Sequence, residues 1–229
     1  MLLERNQLTA GTTWHAAGLV EASGFFDETS IEMAKYTREL YQTLEAETGQ
    51  STGYKSVGYL EFATSASRLE GLRRIAAFDR GFDVNVEEIS PAEIRRMLPL
   101  VETDDILAGF FCAEDGRVNP IDATMALAKG ARMGGGQILE EVEVTGFQKK
   151  NGRVSGVITN QGEIEAEYVV NCAGMWARQI GQLAGVNVPL HAVEHYYLIT
   201  EPIEGVTSDY PVMSDVDRYA YYREETGGI

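Results

Sequence analysis

The sequence predicts an α/β protein in which strand–glycine–helix units are combined with an additional mixed sheet. Two observations carry this expectation. An apolar strand runs into a glycine turn and then a helix at Tyr168-Val169-Val170-Asn171-Cys172-Ala173-Gly174, followed by a helix over 175–184. A separate set of short strands, among them Gly58–Ala63 and a pair flanking Asn151-Gly152, belongs to no such unit and predicts further sheet.

Taken in order, Met1-Leu2-Leu3-Glu4 reads as the tail of a buried strand ending in a carboxylate. Gly11 to Gly18 is rich in turn residues and carries a tryptophan and a histidine. Ile31, Ala34, Leu40, Tyr41 and Leu44 recur at helical spacing and predict a helix over 28–48, closed by Gly49. Gly58–Ala63 alternates as a half-buried strand does, and residues 66–80 return to helix before Gly81. Ser90-Pro91-Ala92-Glu93 supplies a cap, a first-turn proline and a capping-box glutamate. Gly109–Cys112 predicts a strand, and Asn119-Pro120 opens a helix to about Met133. Asn151-Gly152 predicts a hairpin between Val142–Gln148 and Val154–Thr159. The stretches Val193–Thr200 and Asp217–Glu224 are β-rich and aromatic. A parallel sheet whose edges lack partners is unstable, so the sequence is expected to be an incomplete chain that folds poorly by itself.

Composition excludes several functions. Acidic residues number 35 against 19 basic, a net charge of −16, which gives no electrostatic basis for holding nucleic acid or an anionic membrane. The same balance mildly favours a cationic substrate such as an amine. Two cysteines, Cys112 and Cys172, form no C-x-x-C pair, which argues against a disulfide scaffold, zinc or an iron–sulfur cluster. No long apolar run, secretory signal or presequence is evident.

Several residues have both a chemical and a plainer reading. Glu4, at a strand end, suits the hydroxyls of an adenosine ribose or is a solvated terminus. His15 lies among small residues in Thr12-Thr13-Trp14-His15-Ala16-Ala17-Gly18; it is a structural or surface histidine, or a nucleophile, base or attachment point. Ala173-Gly174 lets backbone approach a cofactor, or only makes a tight turn. Cys172 is expected to be buried and inert. Tyr196, Tyr197, Tyr221 and Tyr222 suit a cavity for a methylated ammonium, or an ordinary sheet surface. Arg223 suits a substrate carboxylate, or a surface salt bridge.

The segments Leu3-Glu4-Arg5, Leu8 through Leu19 with its Trp14-His15 pair, Gly116-Arg117-Val118-Asn119-Pro120, Asn171 through Ala177 and His195 through Pro202 together resemble the dimethylglycine and sarcosine dehydrogenase family, FAD enzymes of the D-amino-acid-oxidase-like group. The resemblance covers most of the chain and implies a partial FAD-binding Rossmann-like domain with an inserted mixed-sheet substrate domain. Residues 1–24 and 111–189 would belong to the FAD-binding domain. Residues 25–110 and 190–229 would belong to the substrate side, the latter truncated. The glycine fingerprint of the first strand is expected before Met1 and a last flavin-contacting segment after Ile229.

By the same resemblance His15 would be joined to the 8α-methyl of FAD, Glu4 would hold the ribose, and the backbone of Val142 would meet the adenine. Arg5, Thr13, Ala173, Gly174 and Trp176 lie in the matching segments and complete the cofactor set; no metal is implied. Tyr197, Tyr222 and Arg223 are the catalytic candidates, chosen from residue chemistry. The implied reaction is oxidative N-demethylation of a small methylated amino acid, and this chain alone is expected to be inactive. Implied partners are the methylated amine, an electron-acceptor flavoprotein and a folate bound by a region outside this sequence. The location would be cytoplasmic in a bacterium and the mitochondrial matrix in a eukaryote. Two alternatives stand beside this: a flavoenzyme acting on another secondary or tertiary amine, and a catalytically silent regulatory or interaction subunit, against which the retained His15 argues.

Overall fold

The computed structural model describes residues 1–229. In chain order the regular elements are β1 (Leu2–Leu3), β2 (Leu19–Val20), α1 (Glu28–Thr48), β3 (Tyr59–Ala63), α2 (Ala66–Arg80), β4 (Glu87–Ile89), α3 (Pro91–Met97), β5 (Ala108–Cys112), β6 (Gly116–Arg117) and α4 (Pro120–Met133). They continue with β7 (Ile138–Leu139), β8 (Val144–Lys150), β9 (Arg153–Thr159), β10 (Gly162–Glu165), α5 (Ala177–Ala184), β11 (Val212–Asp215) and β12 (Ala220–Tyr222). Short 3-10 turns occupy Thr13–His15, Gly174–Trp176 and Val216–Arg218. The chain divides into two compact units, one of residues 1–16 and 124–196, the other of 17–123 and 197–229. Residues 17–24 and 111–123 therefore group with the second unit.

The second unit is built on a five-stranded mixed sheet of order β12-β11-β3-β5-β4, in which only β11 and β3 run parallel. The two-residue period of β3 sorts its side chains between two cores. Leu60 and Phe62 pack with Ile94 and Leu98 of the α3 region and with Met213. On the opposite face Ala63 joins Ala108, Phe110 and Cys112 of β5, with Ile31 from α1 and Leu72 and Ala76 from α2. Full burial of side chains such as Leu60, Ile94 and Leu98 contributes roughly 1.5–3 kcal/mol each. Caps fix where the helices begin. Asp27 accepts the Ser30 N–H at 2.9 Å, and Ser90 and Glu93 complete a reciprocal capping box. Gly49, at φ 66°, closes α1 by donating to the Glu45 carbonyl at 2.7 Å.

The first unit holds a parallel pair, β1 with β7, and the antiparallel meander β8-β9-β10. Asn151 (φ 52°) and Gly152 (φ 77°) make the expected two-residue turn between β8 and β9. Two expectations need correction. Residues 168–174 form no strand, and Tyr168 and Val170 are 74% and 80% exposed. The β-rich stretch 193–200 likewise forms no strand, with Tyr196 82% exposed. An apolar, β-branched composition supplies a strand's pattern, but a strand exists only where a neighbour takes up its N–H and C=O groups.

Candidate functional site

The proposed cofactor residues all lie in the first unit. Glu4 continues β1: its N–H donates to the Leu139 carbonyl at 2.9 Å, and its own carbonyl accepts the Val142 N–H at 2.9 Å. A carboxylate therefore stands at the C-terminal end of a parallel pair, the place where α/β sheets receive ligands, with the buried Val142 beside it. The Glu4 carboxylate accepts the Asn6 N–H at 2.9 Å, which turns the chain after the strand. The Asn6 carbonyl accepts the Glu141 N–H at 2.8 Å, and Glu140 accepts the Leu8 N–H at 2.7 Å.

Thr13, Trp14 and His15 form one 3-10 turn, with the His15 N–H donating to the Thr12 carbonyl at 3.2 Å. The exposed imidazole lies 3.5 Å from the Trp14 ring, centroid to centroid, at a tilt of 35°. Ala173 precedes a turn in which Gly174 has φ 52°, and nothing stands within 4 Å of where a Gly174 Cβ would be. Asn171 holds this turn from both sides: its side-chain amide donates to the Ala177 carbonyl at 2.9 Å, and its oxygen accepts the Ala173 N–H at 3.2 Å. Cys172, expected to be buried, is exposed, because the segment carrying it is not covered by a neighbouring strand. Arg5 and Trp176 meet each other, the guanidinium carbon 4.2 Å from the ring centroid.

The first unit thus holds a carboxylate at the end of a parallel pair, an exposed imidazole and an uncrowded left-handed glycine, groups of the chemical types that a dinucleotide cofactor would use. Residues 1–229 contain no G-x-G-x-x-G turn, so a pyrophosphate cradle of that type is not among them.

The catalytic candidates lie in the second unit. Tyr197 is 57% exposed, and Tyr222, on β12, is 43% exposed. The Arg223 guanidinium pairs with Glu225 and donates to the Val118 carbonyl at 3.4 Å, so its charge already has a carboxylate.

Sequence reasoning missed a group of enclosed carboxyls in this unit. Asp115, fully buried, accepts the Ala22 N–H (2.9 Å), the Ser23 N–H (3.1 Å), the Ser23 hydroxyl (2.6 Å) and Arg38 (2.9 Å). Asp79, also buried, accepts the Gly24 N–H at 3.0 Å. Three successive backbone donors are thus held by two carboxylates. Burial, with the charges of Asp115 and Glu61 nearby, pushes Glu21 up to about 7. Burial likewise raises Glu61 to about 7, with Arg68 opposing. Asp79 is raised to about 6, chiefly by burial. Tyr59, hydrogen-bonded with Glu21 and Ser214, is pushed above the usual phenol range by burial. The one hint in the sequence was Glu61, an acid inside the apolar strand Tyr59-Leu60-Glu61-Phe62-Ala63.

The fold is that of an α/β protein with a mixed sheet, and comparison with known proteins makes the class specific. The profile of the FAD dependent oxidoreductase family matches residues 1–229, and the chain belongs to that family. It is 38% identical to the mitochondrial sarcosine dehydrogenase of Homo sapiens over 229 residues, which is 97% of this chain and 25% of that protein. It is 37% identical to the mitochondrial pyruvate dehydrogenase phosphatase regulatory subunit of Mus musculus, over 100% of this chain and 26% of that protein. It is 35% identical to the mitochondrial dimethylglycine dehydrogenase of Rattus norvegicus, over 100% of this chain and 27% of that protein. The chain thus spans about a quarter of the length of these relatives. Among solved structures, L-proline dehydrogenase from P. horikoshii superposes with a TM-score of 0.84 at 27% identity, covering 98% of this chain and 60% of that one. No helix is long and apolar enough to cross a membrane.

Proposed function

We propose that the protein containing this chain oxidises a small N-methylated amino acid, sarcosine or dimethylglycine being the nearest chemistry, with FAD carried covalently on His15. The observation that carries this reading is the exposed Trp14-His15 turn, in the same unit as the strand-end carboxylate Glu4 and the open Ala173-Gly174 turn. Similarity along the whole chain to a sarcosine dehydrogenase and a dimethylglycine dehydrogenase supports it.

Each residue has a defined task in this reading. Glu4 accepts the ribose hydroxyls, and the Val142 backbone borders the adenine. Thr13 holds the His15 turn, and the Ala173-Gly174 backbone approaches the ring system without side-chain obstruction. His15 would hold the flavin by one C–N bond that replaces its imidazole N–H and one hydrogen of the methyl carbon, the two electrons leaving to an external acceptor such as dioxygen. A flavin bound here would supply a two-electron acceptor, and the residues of the chain would supply orientation and electrostatics. Arg223 steadies the substrate carboxylate while sharing its charge with Glu225, and Tyr197 and Tyr222 present rings to the methylated nitrogen. The nitrogen is oxidised in its neutral form, so that its lone pair supports the developing iminium. An acceptor flavoprotein or oxygen would be the electron acceptor, and water or a folate would take up the one-carbon product.

A second reading, a catalytically silent regulatory subunit of the same fold, is favoured by the whole-chain match to a phosphatase regulatory subunit. The test is anaerobic mixing of the full-length, flavin-loaded protein with a panel of secondary and tertiary N-methyl amino acids. Bleaching of the flavin absorbance by one of them supports the enzyme; an unchanged spectrum with all of them supports the silent subunit.

A further inference from the structure

We propose that Arg5 and Trp176 are positioning residues, a single clamp that sets where the 8–15 segment, and so His15, stands. This rests on the reading that His15 is the flavin attachment site. The Trp176 ring lies near two parts of the N-terminal segment. The Arg5 guanidinium carbon is 4.2 Å from its centroid, and a Cβ at Gly11 would lie 3.5 Å from Cζ3 and 3.8 Å from Cη2 of the same ring. Arg5 makes no salt bridge, so the ring face is the partner of its charge.

Both sides of the ring are anchored. Trp176 is tied through its N–H to the Ala173 carbonyl at 2.9 Å, within the turn that Asn171 braces. Arg5 lies just past β1, after Glu4, and the next residues are tied to Glu140 and Glu141. Between these anchors the chain reverses through Thr9, at φ 71°, a left-handed conformation unusual for a β-branched residue. A segment that turns in this way and contributes no regular element before Thr13 needs a fixed point, and the Arg5 contact with Trp176, whose ring also stands beside Gly11, provides it. Two residues that would otherwise be counted as separate cofactor contacts thus act on the cofactor through His15.

The test uses the full-length gene product with Arg5→Met, Arg5→Lys, Trp176→Leu and the Arg5→Met/Trp176→Leu pair. The rate of flavin attachment to the His15 peptide is followed by mass spectrometry at saturating FAD, with reversible FAD affinity measured separately. Arg5→Met should slow attachment about two- to five-fold, the size of an exposed cation–ring contact, with affinity little changed. Arg5→Lys should restore the wild-type rate, and the double variant should be no slower than Trp176→Leu alone. Independent effects that multiply, or an Arg5→Lys variant as slow as Arg5→Met, would overturn the clamp. If the wild-type protein carries no flavin on His15, the functional reading fails and amide exchange decides the clamp. Arg5→Met should speed exchange across residues 8–15 several-fold if it stands, and leave it unchanged if it does not.

Discussion

Asp115→Ala should be the most damaging small substitution in the second unit, and its size follows from four contacts. The carboxylate is completely enclosed and accepts from the Ala22 and Ser23 amides, the Ser23 hydroxyl and Arg38. Removing one partner of a buried ion pair costs about 3–5 kcal/mol. Arg38 would keep Glu114, at 2.5 Å, which places the charge contribution at the low end. Each donor left without an acceptor adds about 1–3 kcal/mol, less where water enters the space. A loss of about 4 kcal/mol is expected, which for a chain of this length is a fall in Tm of about 8–16 °C. Asp115→Asn keeps an acceptor for the 22–23 backbone but loses the charge, and should cost about half as much. Urea unfolding followed by fluorescence, with an unchanged m-value, measures both. A loss below about 1 kcal/mol for Asp115→Ala, or an Asn variant as stable as wild type, would refute the view that this carboxylate organises residues 22–23.

Two further outcomes follow from the same unit. Glu21 and Glu61 titrate near 7 in the folded protein against an ordinary 4.5, so the folded state holds their protons more tightly than the unfolded chain. The stability they allow is fully present below about 4.5 and lost as pH rises through about 7; Glu21→Gln and Glu61→Gln should flatten that slope in a Tm-versus-pH series. Gly116→Ala would place a Cβ 1.9 Å from the Lys55 carbonyl oxygen and should cost at least about 1–3 kcal/mol in urea unfolding, since neither partner is a flexible side-chain end.

The parts of the fold that the sequence made legible are those punctuated locally. Asp27 and Gly49 bracket α1, Ser90-Pro91 starts α3 and Asn151-Gly152 turns β8 into β9, each through a contact spanning a few residues. What could not be read depends on distant partners. β11 has no strong strand signature in Val212-Met213-Ser214-Asp215, yet it is fully buried because it adds in parallel to β3. The converse holds at 168–174, where the pattern of a strand is present without pairing. At the site, Trp14-His15 stood out because the pair is contiguous. The Arg5–Trp176 contact did not, because it joins opposite ends of one unit. The carboxyl group was hidden for the same reason: burial around Glu21, Glu61, Asp79 and Asp115 is created by packing of separate elements, and a sequence shows only acids.

The most direct test of the central claim is the mass of the His15 peptide from the full-length protein isolated under non-reducing, neutral conditions. The account predicts that this peptide carries one flavin, retained after acid precipitation. An unmodified His15 peptide from protein whose flavin is released by acid, or which holds none, would contradict it.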